Sequence, residues 1–359
     1  MREYGSEHPS VILPDGYFQS FENYNREVTY LRCGREALLY VAINIRQSRL
    51  QAIGEAPVIL FPAYCCWSMS APFIKAGWNV VYYRLNEDLS IDINYLDNLL
   101  SAYRPQAALI MNYYGSADTS EGIDCIRRFD SRISIIEDFS HCTFSFASIF
   151  NCEVDYYVSS LRKSVGIPDG AIVLSKHVTD KSIIHAEDLN FSNQRYRFQT
   201  LKNVYSYTKN QEDKSSFLCS LRECERNLDE FQCVHGISSM TLKMLEGING
   251  EMIACARGAN MRHLWHKLNG HIEMVPGLQR SFEGAPFSLP ILVKDRDSIQ
   301  TRLAGKGLYT QLLWPISDEA QHVCRVSKRM NDEMLSVPID QRYSWDDIED
   351  ISNILLTTI

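Results

Sequence analysis

Short apolar runs alternate with helix-like stretches through the first half of the chain. The runs Val58–Phe61, Val80–Leu85, Ala108–Asn112, Ser134–Glu137, Tyr156–Ser159 and Ile172–Leu174 are rich in β-branched and aromatic residues and read as strands. Several lack the polar alternation of a half-exposed strand, which predicts cover on both faces. Between them Glu36–Gln47, Ser68–Ala76, Ile93–Tyr103 and Glu121–Phe129 carry helical spacing. This alternation predicts an α/β fold built on a mostly parallel mixed sheet sandwiched by helices.

The pattern changes near Val178. Lys181–Gln232 is polar, rich in Asn, Gln, Lys and Glu, and poor in strand signal; it reads as loop and helix, an excursion over the site. Ser239–Asn269 reads as a long helix broken near Gly247 and Gly250. Beyond Gly270 a smaller α+β lobe is expected, with a strand at Phe287–Val293 and helices at Asp297–Lys306 and Trp345–Leu356. Ser344 caps the last of these ahead of Asp346 and Asp347. Two domains are therefore expected, 26–245 and 246–359, with residues 1–25 packing against the second.

Composition narrows the class. The 359 residues are 45% hydrophobic and 22% charged, ordinary for a globular chain and wrong for a disordered one. A formal net charge of −8 with no basic block argues against general nucleic-acid binding, which rests on Lys and Arg neutralising phosphates. The eleven cysteines include no C-x-x-C pair, so they read as reduced thiols of a cytoplasmic protein. The N-terminus has no apolar signal core, and no run approaches the roughly 20 residues of a membrane span.

Four segments carry candidate chemistry. Gly34-Arg35-Glu36-Ala37 opens a helix, where backbone N–H groups and the helix dipole favour a phosphate, though a plain turn needs the same Gly. Pro62 to Ser68 follows a strand end, where ligands of open α/β sheets sit; Tyr64 or Trp67 could stack on a planar ring there, or simply pack in the core. Ile135 to His141 is an apolar strand ending in Glu137 and Asp138. That aspartate could pair with a protonated ring nitrogen, or serve as a helix N-cap. Ser159-Ser160-Leu161-Arg162-Lys163 places an amine at another strand end, the position of a Schiff-base lysine, although most lysines are solvated surface groups.

Taken together these segments resemble the DegT/StrS-type (sugar) aminotransferases, of the aspartate aminotransferase-like fold type I of pyridoxal 5′-phosphate (PLP) enzymes. GREAL at Gly34–Leu38 is similar to the family's phosphate turn, and Phe61–Leu89 to its strand, cofactor-stacking loop and helix. NYYG at Asn112–Gly115, IEDFSH at Ile136–His141 and SLRKSVGIPDGA at Ser160–Ala171 resemble its next three signatures. GLYTQLLWP at Gly307–Pro315 and Leu335–Ile351 resemble the small-domain signatures of one branch. The resemblance implies that Lys163 binds PLP and shuttles protons, and that Asp138 holds the ring nitrogen. It implies that the backbone of Gly34 and Arg35, with Ser160, takes the phosphate. Tyr64 or Trp67 would stack on the ring, with His141 in support. It further implies a homodimer that moves an amino group, from glutamate in the first instance, to a nucleotide-linked keto-sugar or similar acceptor in polysaccharide or natural-product biosynthesis.

The chain departs from that pattern in three places. The loop after Lys163 reads Ile167-Pro168-Asp169-Gly170-Ala171 instead of an acidic Gly-Gly loop, and Ser160 stands only three residues before the lysine. Gly236-Ile237-Ser238-Ser239 occupies the place of the Arg/Asn segment that a neighbouring subunit lends. These departures leave open a different PLP carbanion reaction on an amino acid, and a catalytically silent regulatory protein. Two other readings fall away. Ser160 to Lys163 fits S-x-x-K, but neither S-D-N nor K-T-G occurs. His263, His266 and His271 do not make a ligand set, so no metal is expected.

Overall fold

The computed structural model describes residues 2–10, 24–49, 56–229 and 231–359. The first strand, β1 (Tyr4–Gly5), is two residues long. Seven further strands make the central sheet: β2 (Glu27–Leu31), β3 (Val58–Pro62), β4 (Asn79–Tyr83), β5 (Ala107–Met111), β6 (Ser134–Asp138), β7 (Tyr156–Ser159) and β8 (Ala171–Ser175). Their spatial order is β2-β8-β7-β6-β5-β3-β4. The block from β4 to β7 is parallel, while β8 runs antiparallel to both β7 and β2. This is the mixed, mostly parallel sheet that the alternation predicts. Every residue of β5, β6, β7 and β8 is buried, which explains why these runs show no polar alternation.

Helices α1 (Gly34–Arg49), α2 (Trp67–Lys75), α3 (Ile93–Tyr103) and α4 (Ser120–Phe129), with the short α5 (Phe146–Ile149), connect these strands. Their starts follow ordinary rules: Asp92 caps α3 by accepting from the Tyr95 N–H. The expected strand and helix positions agree with the observed ones to within one or two residues.

The polar stretch after Val178 is more ordered than its composition suggests. After β9 (Ile184–His185) it forms two long helices, α6 (Leu189–Thr208) and α7 (Gln211–Asp229), before β10 (Val234–His235) pairs back on β9. Asp188 caps α6 through the Phe191 N–H, and Lys209 ends it in the left-handed conformation. The hairpin has a small core of its own, Phe198, Tyr205, Phe217 and Cys224, separate from the main core. Its apolar residues are few and widely spaced, so a scan for long apolar faces passes over them.

The remaining chain gives α8 (Ser239–Glu246) and α9 (Gly250–Leu268), broken at the expected glycines. A second sheet follows, with β11 (Glu273–Met274), β12 (Ser288–Leu292) and, later, β14 (Met334–Pro338) in antiparallel order. Between β12 and β14 lie α10 (Arg296–Gly305), β13 (Leu308–Tyr309), α11 (Asp318–Val323) and α12 (Arg325–Glu333). The closing helix α13 (Trp345–Leu356) begins with a capping box between Ser344 and Asp347. Strand β1 pairs in parallel with β13, and Arg2 reaches Asp347 at 2.7 Å.

All the cysteines are unpaired. No helix among the described residues is long and apolar enough to cross a membrane, and no group of three His, Cys, Asp or Glu among them could hold a metal ion. His263 is paired with Glu349 at 2.8 Å.

Because the α6–α7 hairpin carries a separate core, its stability should be separable from that of the sheet. Phe217→Ala is expected to cost the hairpin about 3–5 kcal/mol. Hydrogen exchange should then accelerate in α6 and α7 while β5 and β6 stay protected. Equal acceleration everywhere would mean that the hairpin is not a separate unit.

Candidate active site

A parallel sheet brings the carboxyl ends of its strands to one edge, and the candidate residues collect there. Asp138 is the last residue of β6 and stands in register with Val158 of β7. Five residues on, after Ser159 and Ser160, a single 3₁₀ turn (Leu161–Lys163) presents Lys163. On the other flank β3 ends at Pro62 and leads into Tyr64. The N-terminus of α1 brings Gly34 against Ser160, close enough that a β-carbon on Gly34 would lie 3.3 Å from the serine Cβ.

Asp138 is buried. Its Oδ1 accepts from the Ser140 N–H at 2.8 Å, and its second oxygen has no donor among the described residues. Asp138 lies in the strand and caps no helix. Ser140 ties the group together, because its hydroxyl accepts from the Ser160 N–H at 2.9 Å.

His141 is fully buried and both of its ring nitrogens lack a hydrogen-bond partner. Burial, and then the nearby Lys163 charge, hold its pKa well below the ordinary range, so the ring is neutral. It is stacked between Phe287 (5.1 Å, 11°) and Trp314 (5.2 Å, 26°). Trp314 also meets Tyr64 at 5.4 Å, and the Lys163 Nζ lies 5.5 Å from the Trp314 ring centroid. Lys163, Tyr64 and His141 are thus joined through one indole.

Tyr64 and Trp67 separate clearly. Tyr64 is buried with an unpartnered hydroxyl, while Trp67, the first residue of α2, is 64% exposed. Arg35 projects its guanidinium to Asp229 at 2.9 Å, which leaves its backbone for any anion at the start of α1.

Lys163 and Arg35 open on a cavity of about 470 Å³. Its lining comes from the segments that follow the central strands (Arg35, Cys66, Ser68, Arg162 and Lys163), from the second sheet and the segment between Tyr309 and Trp314, and from Gly5 to His8. Glu225 of α7 also lines it, so the hairpin does lie over the site. The loop after Lys163 is fixed from behind. Asp169 accepts from the Ser238 N–H and hydroxyl, each at 2.9 Å, so the Gly236–Ser239 segment is spent on capping α8.

No protein-family model matches the chain, and no curated protein matches it. Solved structures do. An aminotransferase of Helicobacter pylori involved in the biosynthesis of pseudoaminic acid is similar with a TM-score of 0.66 at 13% identity, over 99% of each chain. A DegT DnrJ EryC1 StrS aminotransferase from Brucella abortus gives 0.61 at 15% identity, over 94% of this chain and 90% of that one. The sugar aminotransferase CalS13 from Micromonospora echinospora gives 0.61 at 13% identity, over 92% and 87%. This is the fold type I architecture. At these identities the likeness is one of fold.

Two residues packed about this edge, Trp314 and Arg257, fall outside the four sequence segments. Trp314 falls in a stretch noted only as a small-domain signature. Arg257 is fully buried on α9 and donates to the Ser164 carbonyl at 3.1 Å, directly behind Lys163. A buried Arg on a helix gives no periodic signal, since hydrophobic patterning reads it as solvent-facing.

Glu137, beside Asp138, supplies a pH test. It is fully buried; Oε1 accepts from Asn112 (3.1 Å) and Thr119 (3.3 Å), and Oε2 has no partner. Burial pushes its pKa up from 4.5 to about 7. The folded state therefore binds the extra proton between those values. Stability from this group is fully present below pH 4.5 and is lost as pH rises through 7, by about 3 kcal/mol. Urea denaturation of Glu137→Gln should show a flatter stability profile from pH 5 to 8 than the parent. An unchanged slope would assign the titration elsewhere.

Proposed function

We propose that the protein is a PLP-dependent aminotransferase, moving an amino group from an amino acid, glutamate in the first instance, to a keto-sugar or similar keto acceptor. The observation that carries this reading is the convergence of Lys163, Asp138 and His141 on one sheet edge. Both nitrogens of His141 are buried there without partners among the described residues, and the second oxygen of Asp138 accepts from no described residue. Buried polar groups are normally satisfied, so these open valences fit a polar ring. The fold type I neighbours support the same reading, and one chain similar in fold, from Streptococcus pneumoniae, was solved in a PMP form.

Bound PLP would supply an aldehyde that condenses with amines and a ring that withdraws electrons. The protein's share is placement. Asp138, as the anion at the strand end, would hold a proton on the ring nitrogen. Lys163 would bind the cofactor and, once released, carry the proton to and from the substrate Cα. The backbone N–H groups of Gly34 and Arg35 at the start of α1, with the Ser160 hydroxyl, would take the phosphate. Tyr64 and Trp314 would keep water from that face, and neutral His141 would offer both a donor and an acceptor.

We include a cytoplasmic homodimer in the reading; the exposed Trp67 and Ile74 of α2 support a covered surface there. We also read 26–245 as the cofactor-binding domain and 246–359 as the smaller one, the cavity lying between them.

Purified protein should be yellow, and borohydride should leave the cofactor on the peptide containing Lys163. Lys163→Ala should lose amino transfer entirely, and Asp138→Ala should lower kcat by at least about a hundredfold. A colourless protein with an unmodified Lys163 peptide would end this reading. If colour forms but glutamate leaves the absorbance unchanged while another amino acid alters it, a different reaction of the same cofactor takes its place.

A further inference from the structure

The charges around the cavity can be accounted for one by one. Five cations line it, Arg35, Arg162, Lys163, Arg257 and Arg342, on a chain whose net charge is −8. Arg35 is paired with Asp229. Arg342 is held by both oxygens of Asp340, at 2.6 and 2.8 Å. Arg257 has its donors taken by Gln341 and by the carbonyls of Pro286, Phe287 and Ser164. The two other acids of the cavity wall are also engaged, because Arg195 of α6 reaches Glu225 at 2.6 Å and Glu7 at 3.4 Å.

Arg162 is what remains. It sits one residue before Lys163, in the same 3₁₀ turn, and faces the cavity. Its Nε is buried without a partner among the described residues, while the side chain as a whole is half-buried. Burial, and then the neighbouring Arg195 charge, lower its pKa below the ordinary range, with the Glu225 and Glu7 carboxylates opposing the shift in part. A guanidinium placed this way is costly for the empty protein, and a bound anion would remove the cost.

We propose that Arg162 receives an anionic group of the substrate, a carboxylate or a phosphate, and so sets which molecules reach Lys163. The inference rests on the reading of Lys163 as the cofactor lysine. The position favours the substrate over the cofactor's own phosphate. Arg162 lines the cavity, whereas Gly34 and Ser160 are not among its lining residues. A planar guanidinium also suits a two-oxygen anion better than an ammonium would. The segment from Gly5 to His8 already brings one carboxylate, Glu7, to this cluster; Arg195 lies 3.4 Å from it, and Arg162 feels its charge without a direct ion pair.

The test compares parent, Arg162→Gln, Arg162→Lys and, as a reference for the cofactor phosphate, Ser160→Ala as holoproteins. PLP affinity is read from absorbance on reconstitution. Binding of glutarate and of inorganic phosphate, neither of which carries an amine, is read by calorimetry. Arg162→Gln should keep PLP affinity within about twofold while weakening one or both anions by about tenfold or more, with a smaller loss in Arg162→Lys. The anion that weakens names the substrate group. A tenfold loss of PLP affinity, matching Ser160→Ala, would move Arg162 to the cofactor phosphate and overturn the proposal. So would anion binding that is absent in the parent or unchanged in Arg162→Gln. Absence of colour in the parent would instead sink the reading of Lys163, a result visible before any anion is added.

Discussion

The site depends on the parallel register of β6 and β7. Pairing Asp138 with Val158 puts the carboxylate at the strand edge and starts the next chain segment one strand spacing away. From there two serines and a single tight turn are enough to return Lys163 toward the same edge. No long loop has to be ordered to bring acid and amine together, so the placement costs little conformational entropy beyond that of the sheet. The buried strands on both sides hold the edge rigid, which is what a site relying on position requires.

Rigidity of that kind has an electrostatic side. The sheet edge holds buried polar groups without partners among the described residues, including both nitrogens of His141, Oε2 of Glu137 and the Tyr64 hydroxyl. Aromatic rings surround them: His141 lies between Phe287 and Trp314, and Tyr64 lies against Tyr113 and Trp314. A surrounding of this sort strengthens every charge interaction formed inside it. The same surrounding raises Glu137 and keeps His141 neutral.

Much of the central fold is legible in the chain because fully buried strands and amphipathic helices leave strong periodic marks. Asp138 and Lys163 stand out for a related reason: a charged residue at the end of an apolar run is anomalous and easily seen. The rest is hidden by its physics. The α6–α7 hairpin rests on four buried residues, with Leu201, Leu218 and Leu221 packed against them, spread over two long polar helices. Strands β1 and β13 are two residues long and pair across the length of the chain, with no local signal. Arg162 stands within the lysine motif, yet the absence of a partner for its Nε among the described residues is a property of three-dimensional surroundings that no spacing encodes.

The pairing of β1 with β13 carries a consequence for assembly. Gly5 to His8 help to wall the cavity, but the strand they follow has its partner more than three hundred positions later, and Arg2 and Tyr4 are tied to Asp347 and Asp350 of α13. During synthesis these residues emerge well before the partners on β13 and α13 and cannot settle until those follow. Closing so long a loop is only modestly dearer than closing a short one, since the entropic cost grows with the logarithm of length. The pocket is therefore sealed as a late event of folding, and an interruption of translation before β13 would leave its roof unattached.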